Sequence, residues 1–198
     1  MKIGIVGSTC NPPHKQHIAI GECARQELGL DRLILLSVKS PPHKDAIRVS
    51  LETRTLMAKL AVAGRRGWEV SDIDQNRKGK SHTRNLILDI KKKYPKDEIF
   101  WIIGSDVLLS MPWKPGGYEI LDLCRFVVAP RKGFPAVKAK KRILKKVVIL
   151  KNLEKKISST SIRKEIFTAG VVKQHISASV SQFIRANNLY APEQTILL

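Results

Sequence analysis

Two clusters in this chain could handle phosphate. The first is Gly7-Ser8-Thr9-Cys10-Asn11-Pro12-Pro13-His14-Lys15-Gln16-His17. It lies between a short Ile/Val run and a segment of helical periodicity. A helix start exposes free N–H groups and partial positive charge, and so favours acids. Here His14, Lys15 and His17 stand in that place. Cations there cost roughly a few tenths of a kcal/mol each unless an anion sits among them. His14 and His17, three apart, can share a helical face, and Pro12 or Pro13 suits a first turn. The chemistry favoured is phosphate binding by helix N–H groups and imidazoles. The plainer reading is surface decoration on a basic protein. Cys10, His14, His17 and Cys23 also offer donors for zinc, but their spacing fits no zinc pattern.

The second cluster is Lys155-Lys156-Ile157-Ser158-Ser159-Thr160-Ser161-Ile162-Arg163. Hydroxyl residues before an apolar-periodic run mark a helix start. Arg163 then falls in the first turn, again against the dipole. Hydroxyls, N–H groups and a bidentate guanidinium suit a polyphosphate; simple capping with a solvated Arg163 is the alternative. Gly104-Ser105-Asp106 follows the most apolar run. Asp106 could accept ribose hydroxyl protons or meet magnesium through water, or it could cap a helix. Trp113 could stack on an aromatic ligand or pack in the core. Gly79-Lys80-Ser81 is not the end of a P-loop, because position 74 is Asp74 rather than glycine.

The elements that must position these groups alternate between strand and helix. Apolar runs over 2–7, 32–37, 68–71, 98–103, 125–129 and 147–150 read as strands. Helical spacing marks 17–28, 51–63, 81–93, 159–169 and 177–187. Over 51–63 the helical set is Leu51, Thr55, Leu56, Ala58, Leu60 and Val62. Continuous β-branched strands between helices predict an α/β fold, a doubly wound parallel sheet with helices on both faces. Ligands of such sheets sit beyond the strands' carboxyl ends, which are the loops after Gly7, over 39–49 and after Ile103.

The chain has 198 residues, enough for one well-buried domain. Apolar residues make up 43% and charged residues 27%, which excludes disordered and collagen-like classes. Three cysteines suit a reducing, cytoplasmic compartment. The opening MKIGIVGSTC has too short an apolar stretch for a signal peptide, and no run is long enough to span a membrane. The formal net charge is +19. Residues 131–156 hold 11 basic residues against one acid, Glu154, and so supply +10 of it. A solvated basic helix face over 138–146 is the simplest account of that run; binding to nucleic acid is the other.

In order, these segments resemble the nucleotidylyltransferase superfamily marked by His-x-x-His and Ile-Ser-Ser-Thr-x-x-Arg. Within it they are similar to the bacterial nicotinate mononucleotide adenylyltransferases. Pro41-Pro42-His43-Lys44, Arg54-Thr55-Leu56-Met57, Trp101-Ile102-Ile103-Gly104-Ser105-Asp106, Pro112-Trp113, Arg125 to Arg131, Ile157 to Arg163 and Asn188-Leu189-Tyr190 all fall in place. Ser8, Cys10, Asn11 and Gln16 depart from the family's Gly-Gly-x-Phe-Asp-Pro and Gly-His opening. His82 and Asn85 depart from its Ser-Tyr-Thr-x-Asp-Thr.

The resemblance implies a Rossmann-like single domain over residues 1–198, with C-terminal helices from about 158 packed on it. It implies adenylyl transfer from ATP to nicotinate mononucleotide in NAD biosynthesis. His14 and His17 then contact the triphosphate, with His17 near the reacting α-phosphate. Gly7, Ser8, Thr9 and Gly104 line the ATP site. Ser159, Thr160 and Arg163 hold the leaving phosphates, and Lys44 lies between the two substrates. Asp106 takes the ribose or the water shell of a magnesium ion riding on the phosphates. Thr83 and Trp113 hold the pyridine ring. Other acceptors (nicotinamide mononucleotide, phosphopantetheine, a polyol phosphate) and a non-catalytic nucleotide- or RNA-binding relative are the alternatives.

Overall fold

Six short apolar runs pair into one sheet. The computed structural model describes residues 1–42, 47–111, 117–151, 162–163 and 175–191. The strands are β1 (Lys2–Ser8), β2 (Arg32–Ser37), β3 (Trp68–Ser71), β4 (Glu98–Gly104), β5 (Arg125–Ala129) and β6 (Val147–Ile149). Their order is β3-β2-β1-β4-β5-β6, with parallel pairing throughout. The described helices are α1 (Lys15–Leu28), α2 (Leu51–Val62), α3 (Thr83–Lys93), α4 (Ser105–Ser110), α5 (Ile120–Leu123), α6 (Lys141–Leu144) and α7 (Ala178–Ala186). This is the expected Rossmann-like doubly wound α/β fold. The winding reverses between β1 and β4, so their carboxyl ends frame the crevice where such sheets take ligands.

Strand side chains alternate between two cores. Ile3, Ile5, Ile34, Leu36 and Trp101 pack with Leu86, Ile87 and Ile90 of α3 and Ile143 of α6. Val6, Leu33, Leu35, Phe100 and Ile102 pack on the other face with Ile18 and Ala24 of α1 and Ala58 and Val62 of α2. Both faces are covered, so the strands are apolar at nearly every position; each large side chain fully buried contributes about 1.5–3 kcal/mol. At Gly21 a Cβ would lie 2.4 Å from the Trp68 ring, so glycine lets α1 close on β3. The Trp68 indole N–H donates to Glu22 at 2.6 Å. A third cluster joins Met57 and Ala61 of α2 to Ile162, Ile176, Val180 and Ile184, which seats the C-terminal segment beside α2.

Four local expectations need correction. The buried side of α2 contains Leu51, Arg54, Thr55, Met57, Ala58, Ala61 and Val62, while Leu56 is 45% exposed. Leu56 belongs to the helical set read from the sequence, but the buried face takes Arg54 and leaves Leu56 out. Pro12 and Pro13 precede α1 rather than opening it, with His14 at the N-cap. Helix α3 starts at Thr83, because Ser81 is engaged with Ser40. The basic helix over 138–146 does not form. A 3-10 turn (Ala136–Lys138) and the single turn of α6 stand there, since Ile143 alone offers a buried apolar side chain within α6. The helix expected over 159–169 falls mainly outside the described residues.

Candidate active site

The loop after β1 is tied through the backbone of Thr9, Cys10 and Asn11. The Thr9 carbonyl accepts from Arg54 at 2.6 Å. The Cys10 N–H donates to Ser8 Oγ at 3.1 Å, which supports Cys10 at φ 49°, a left-handed conformation costing a side-chain-bearing residue about 1–2 kcal/mol. The Asn11 carbonyl accepts from Arg163 at 2.8 Å, and Asn11 Oδ1 accepts from the Tyr190 hydroxyl at 2.7 Å. Burial pushes the Tyr190 hydroxyl above its ordinary range, so it stays a donor. The C-terminal segment thus clamps the loop from one side and α2 from the other.

The two histidines are locked together at the start of α1. Their rings stack with centroids 3.7 Å apart, 19° from parallel. The His14 N–H donates to His17 Nδ1 at 3.1 Å. An imidazole therefore does what a glutamate does in a capping box, and the first turn of α1 holds no acid. This bond also fixes the tautomer. Because a backbone N–H can only donate, Nδ1 of His17 carries the lone pair and Nε2 the proton. The Nε2–H then donates to Ser8 Oγ at 2.8 Å. A Ser–His nucleophile needs the opposite tautomer, with Nε2 as the proton acceptor. The geometry instead makes His17 a donor aimed at the carboxyl end of β1. Cys124 supplies no activated thiol either: burial pushes it up to about 12. Cys10 and Cys23 are buried. The arrangement is suited to stabilising an anion and not to covalent attack.

Across the switch point, Gly104 caps α4 and Asp106 lies in its first turn. Asp106 Oδ2 pairs with Arg131 at 2.5 Å, while the buried Oδ1 has no hydrogen-bond partner among the described residues. A Cβ on Gly104 would lie 2.3 Å from Oδ1 and 3.2 Å from Arg131 Cδ. Gly104→Ala must therefore displace the Asp106 carboxylate, and the adjacent Arg131 side chain with it. The expected result is a loss of about 1–3 kcal/mol, or roughly 3–8 °C in Tm by calorimetry. An unchanged Tm would mean that the turn yields freely.

Thr83 starts α3 beside a second tied loop. The Ser40 N–H donates to Ser81 Oγ at 2.9 Å, and the Ser81 N–H to the Ser40 carbonyl at 2.8 Å. The buried carboxylate of Asp74 accepts from the Lys39 N–H and from Arg77 Nε, each at 2.7 Å. The stretch leading into Lys44 is thereby fixed against the N-terminus of α3.

The structure brings Ser8, Thr9, His14, His17 and Arg163 around one loop, at the end of Gly7's strand. Gly104 and Asp106 stand on the neighbouring strand end. Thr83 sits by the loop after β2. Lys44, Trp113, Ser159 and Thr160 lie outside the described residues. Sequence reasoning missed the work of Arg54, Asp74, Arg131 and Tyr190. Arg54 had a readable signal, a lone cation at i+3 in a buried stripe. Asp74 and Tyr190 had none, because their partners are distant in sequence. Among the described residues no group of three or more His, Cys, Asp or Glu could cage a metal, and no helix is long and apolar enough to cross a membrane.

Residues 5–165 match the Cytidylyltransferase-like family. The "Probable nicotinate-nucleotide adenylyltransferase" of Geobacter sulfurreducens is 35% identical, over 96% of this chain and 99% of that protein. The protein of the same name from Pelobacter propionicus is 40% identical over 134 residues, covering 67% of this chain and 62% of that one. The solved Plasmodium falciparum nicotinic acid mononucleotide adenylyltransferase complexed with NaAD superposes with a TM-score of 0.77 at 18% identity. That match covers 96% of this chain and 97% of that one, and it is a likeness of fold.

Proposed function

The chain belongs to the Cytidylyltransferase-like family, and from that membership we propose that it transfers the adenylyl group of ATP to nicotinate mononucleotide. The products are deamido-NAD and pyrophosphate, and the place is NAD biosynthesis. One observation carries the reading: the protonated Nε2 of His17, fixed by the His14 N–H, faces the end of β1 at the start of a helix whose first turn holds no acid.

In the proposed reaction a phosphate oxygen of the mononucleotide attacks the α-phosphorus. The bond from that phosphorus to the bridging oxygen breaks, and pyrophosphate leaves. The nucleophile is already anionic, so no base and no covalent residue are needed, and catalysis is positioning and charge neutralisation. With ATP bound, the fixed Nε2–H of His17 donates to an α-phosphate oxygen in place of Ser8 Oγ, before charge develops there. His14, the Ser8 hydroxyl, the Thr9 loop and Gly7 shape the triphosphate site, with Gly104 leaving room beside it. Arg163, Ser159 and Thr160 hold the leaving phosphates, and Lys44 bridges the substrates. Thr83 and Trp113 receive the pyridine ring.

Asp106 Oδ1, buried without a hydrogen-bond partner among the described residues, fits a ribose hydroxyl or the water shell of a magnesium ion. One carboxylate suits an ion held mainly by phosphates, and the bound ion would neutralise charge on the departing pyrophosphate. A cytoplasmic location accords with three cysteines outside any disulfide.

The test is pyrophosphate release from ATP with nicotinate mononucleotide and with nicotinamide mononucleotide in parallel. Release favouring nicotinate mononucleotide is expected. Release with neither, from folded protein that binds ATP, would refute the reading. Arg163→Ala is expected to raise KM for ATP about 10–100-fold, the loss of a charge-assisted contact, and to slow pyrophosphate departure. An enzyme of full strength would return Arg163 to a merely structural bond with Asn11.

A further inference from the structure

The nucleotide site leaves most of the charge excess unused. Between Arg131 and Lys151 the chain carries nine basic residues and no acid. All nine are exposed. Arg131 pairs with Asp106 and Lys146 with Asp122, each at 2.5 Å, while Arg142 lies over the Tyr118 ring. No ion pair among the described residues engages Lys132, Lys138, Lys140, Lys141 or Lys145. Crowded like charges repel, and an anion relieves them.

The same stretch holds out apolar groups. Among the described residues four large hydrophobic side chains are exposed, and two of them are Phe134 (46%) and Val137 (74%). Phe134 is not loosely placed. Its N–H donates to the Arg131 carbonyl at 3.0 Å, and the two residues form a β-bridge around Gly133 at φ 87°. Buried Ala136 then anchors the 3-10 turn against α4. An aromatic ring is thus presented from a fixed scaffold amid cations. The run begins at Arg131, at the mouth of the nucleotide crevice, and ends on the edge strand β6.

We propose that this β5–β6 connection binds single-stranded polynucleotide, with its lysines on the phosphates and Phe134 stacked on a base. Lysine arrays bind such backbones by releasing counterions, and an aromatic platform needs unpaired bases. A duplex is disfavoured, because α6 has four residues and cannot lie along a major groove. An anionic membrane is disfavoured, because two separate apolar side chains do not make the continuous apolar face of an interfacial helix. A second copy would bring like charges together. None of this depends on adenylyl transfer.

The experiment is fluorescence anisotropy of the full chain with labelled oligouridylate of about 20 nucleotides, beside a duplex of equal length and phosphatidylserine vesicles. Engagement of about five phosphates predicts a roughly 100-fold loss of affinity between about 50 and 200 mM salt. Lys138→Glu with Lys140→Glu and Lys141→Glu should weaken binding at least about tenfold. The same charge change at the opposite sheet edge, Lys59→Glu with Arg65→Glu and Arg66→Glu, should weaken it by no more than about threefold. Phe134→Ala should cost about tenfold on oligouridylate and nothing on duplex. Each variant should keep the parental Tm and turnover. Equal effects of the two triple variants would reduce the binding to the general field of a +19 chain and overturn the proposal. So would an inert Phe134→Ala, preference for vesicles, or a parallel fall in turnover.

Discussion

His17→Ala is expected to lower turnover about 10²–10³-fold while changing ATP affinity only modestly. The size follows from where the proton sits. Nε2–H of His17 is held by a bond at the far side of the ring, the 3.1 Å donation from the His14 N–H. It needs no reorganisation when charge grows on a phosphate oxygen, which is the condition under which one donor matters most. Before substrate arrives, Nε2–H donates to Ser8 Oγ at 2.8 Å, so the donor is satisfied in both states. The substitution also orphans the His14 N–H at the N-cap, a structural cost of about 1 kcal/mol. That cost appears in Tm, whereas the catalytic loss appears in single-turnover rate with ATP saturating. A variant within about threefold of the parent rate would remove His17 from the chemistry. Ser8→Ala is the companion measurement, since it removes the resting acceptor and leaves the donor in place.

The strands were legible because their signal is local. Ile3, Ile5, Leu33, Leu35, Phe100 and Ile102 are apolar in sequence and buried in fact, and a parallel sheet covered on both faces asks only for that. The loop after β1 was singled out for a different reason. Cations at a helix start without acids oppose the dipole, and such a conflict with local preference is a reason to propose a functional position there. The rest of the site is set by long-range partners. Asn11 is held by Arg163 and Tyr190, 152 and 179 residues away, and no local pattern announces either bond. Reading the basic run over 138–146 as a helix failed on packing. Helical spacing of charges says nothing without apolar residues to bury, and only Ile143 is buried in α6. On α2 the set read from the sequence includes Leu56 and omits Arg54, whereas the fold buries Arg54 and exposes Leu56.

Arg54→Met is expected to destabilise the protein by about 3–5 kcal/mol, a drop of roughly 10–15 °C in Tm. Arg54 is 2% exposed, and burial pushes its guanidinium below the ordinary value. No carboxylate compensates the charge among its hydrogen-bond partners. Four backbone carbonyls do so instead: Thr9 at 2.6 Å, Val38 at 2.7 Å, Lys39 at 3.0 Å and Val49 at 3.1 Å. These belong to the loops after β1 and β2 and to the lead into α2, so one planar group ties three segments that frame the crevice. Methionine fills the volume but leaves four acceptors without this partner, each costing about 1–3 kcal/mol unless water enters or the loops move. Movement is the cheaper response, which is why the summed cost is not reached and why function suffers with stability. Arg54→Lys separates charge from shape. A single ammonium keeps the cation but cannot span carbonyls on opposite sides of a fork. It should recover less than half of the lost Tm and leave kcat/KM depressed. A lysine variant as stable and active as the parent would show that the charge alone is needed, and that the loops after β1 and β2 hold their shape without the guanidinium clamp.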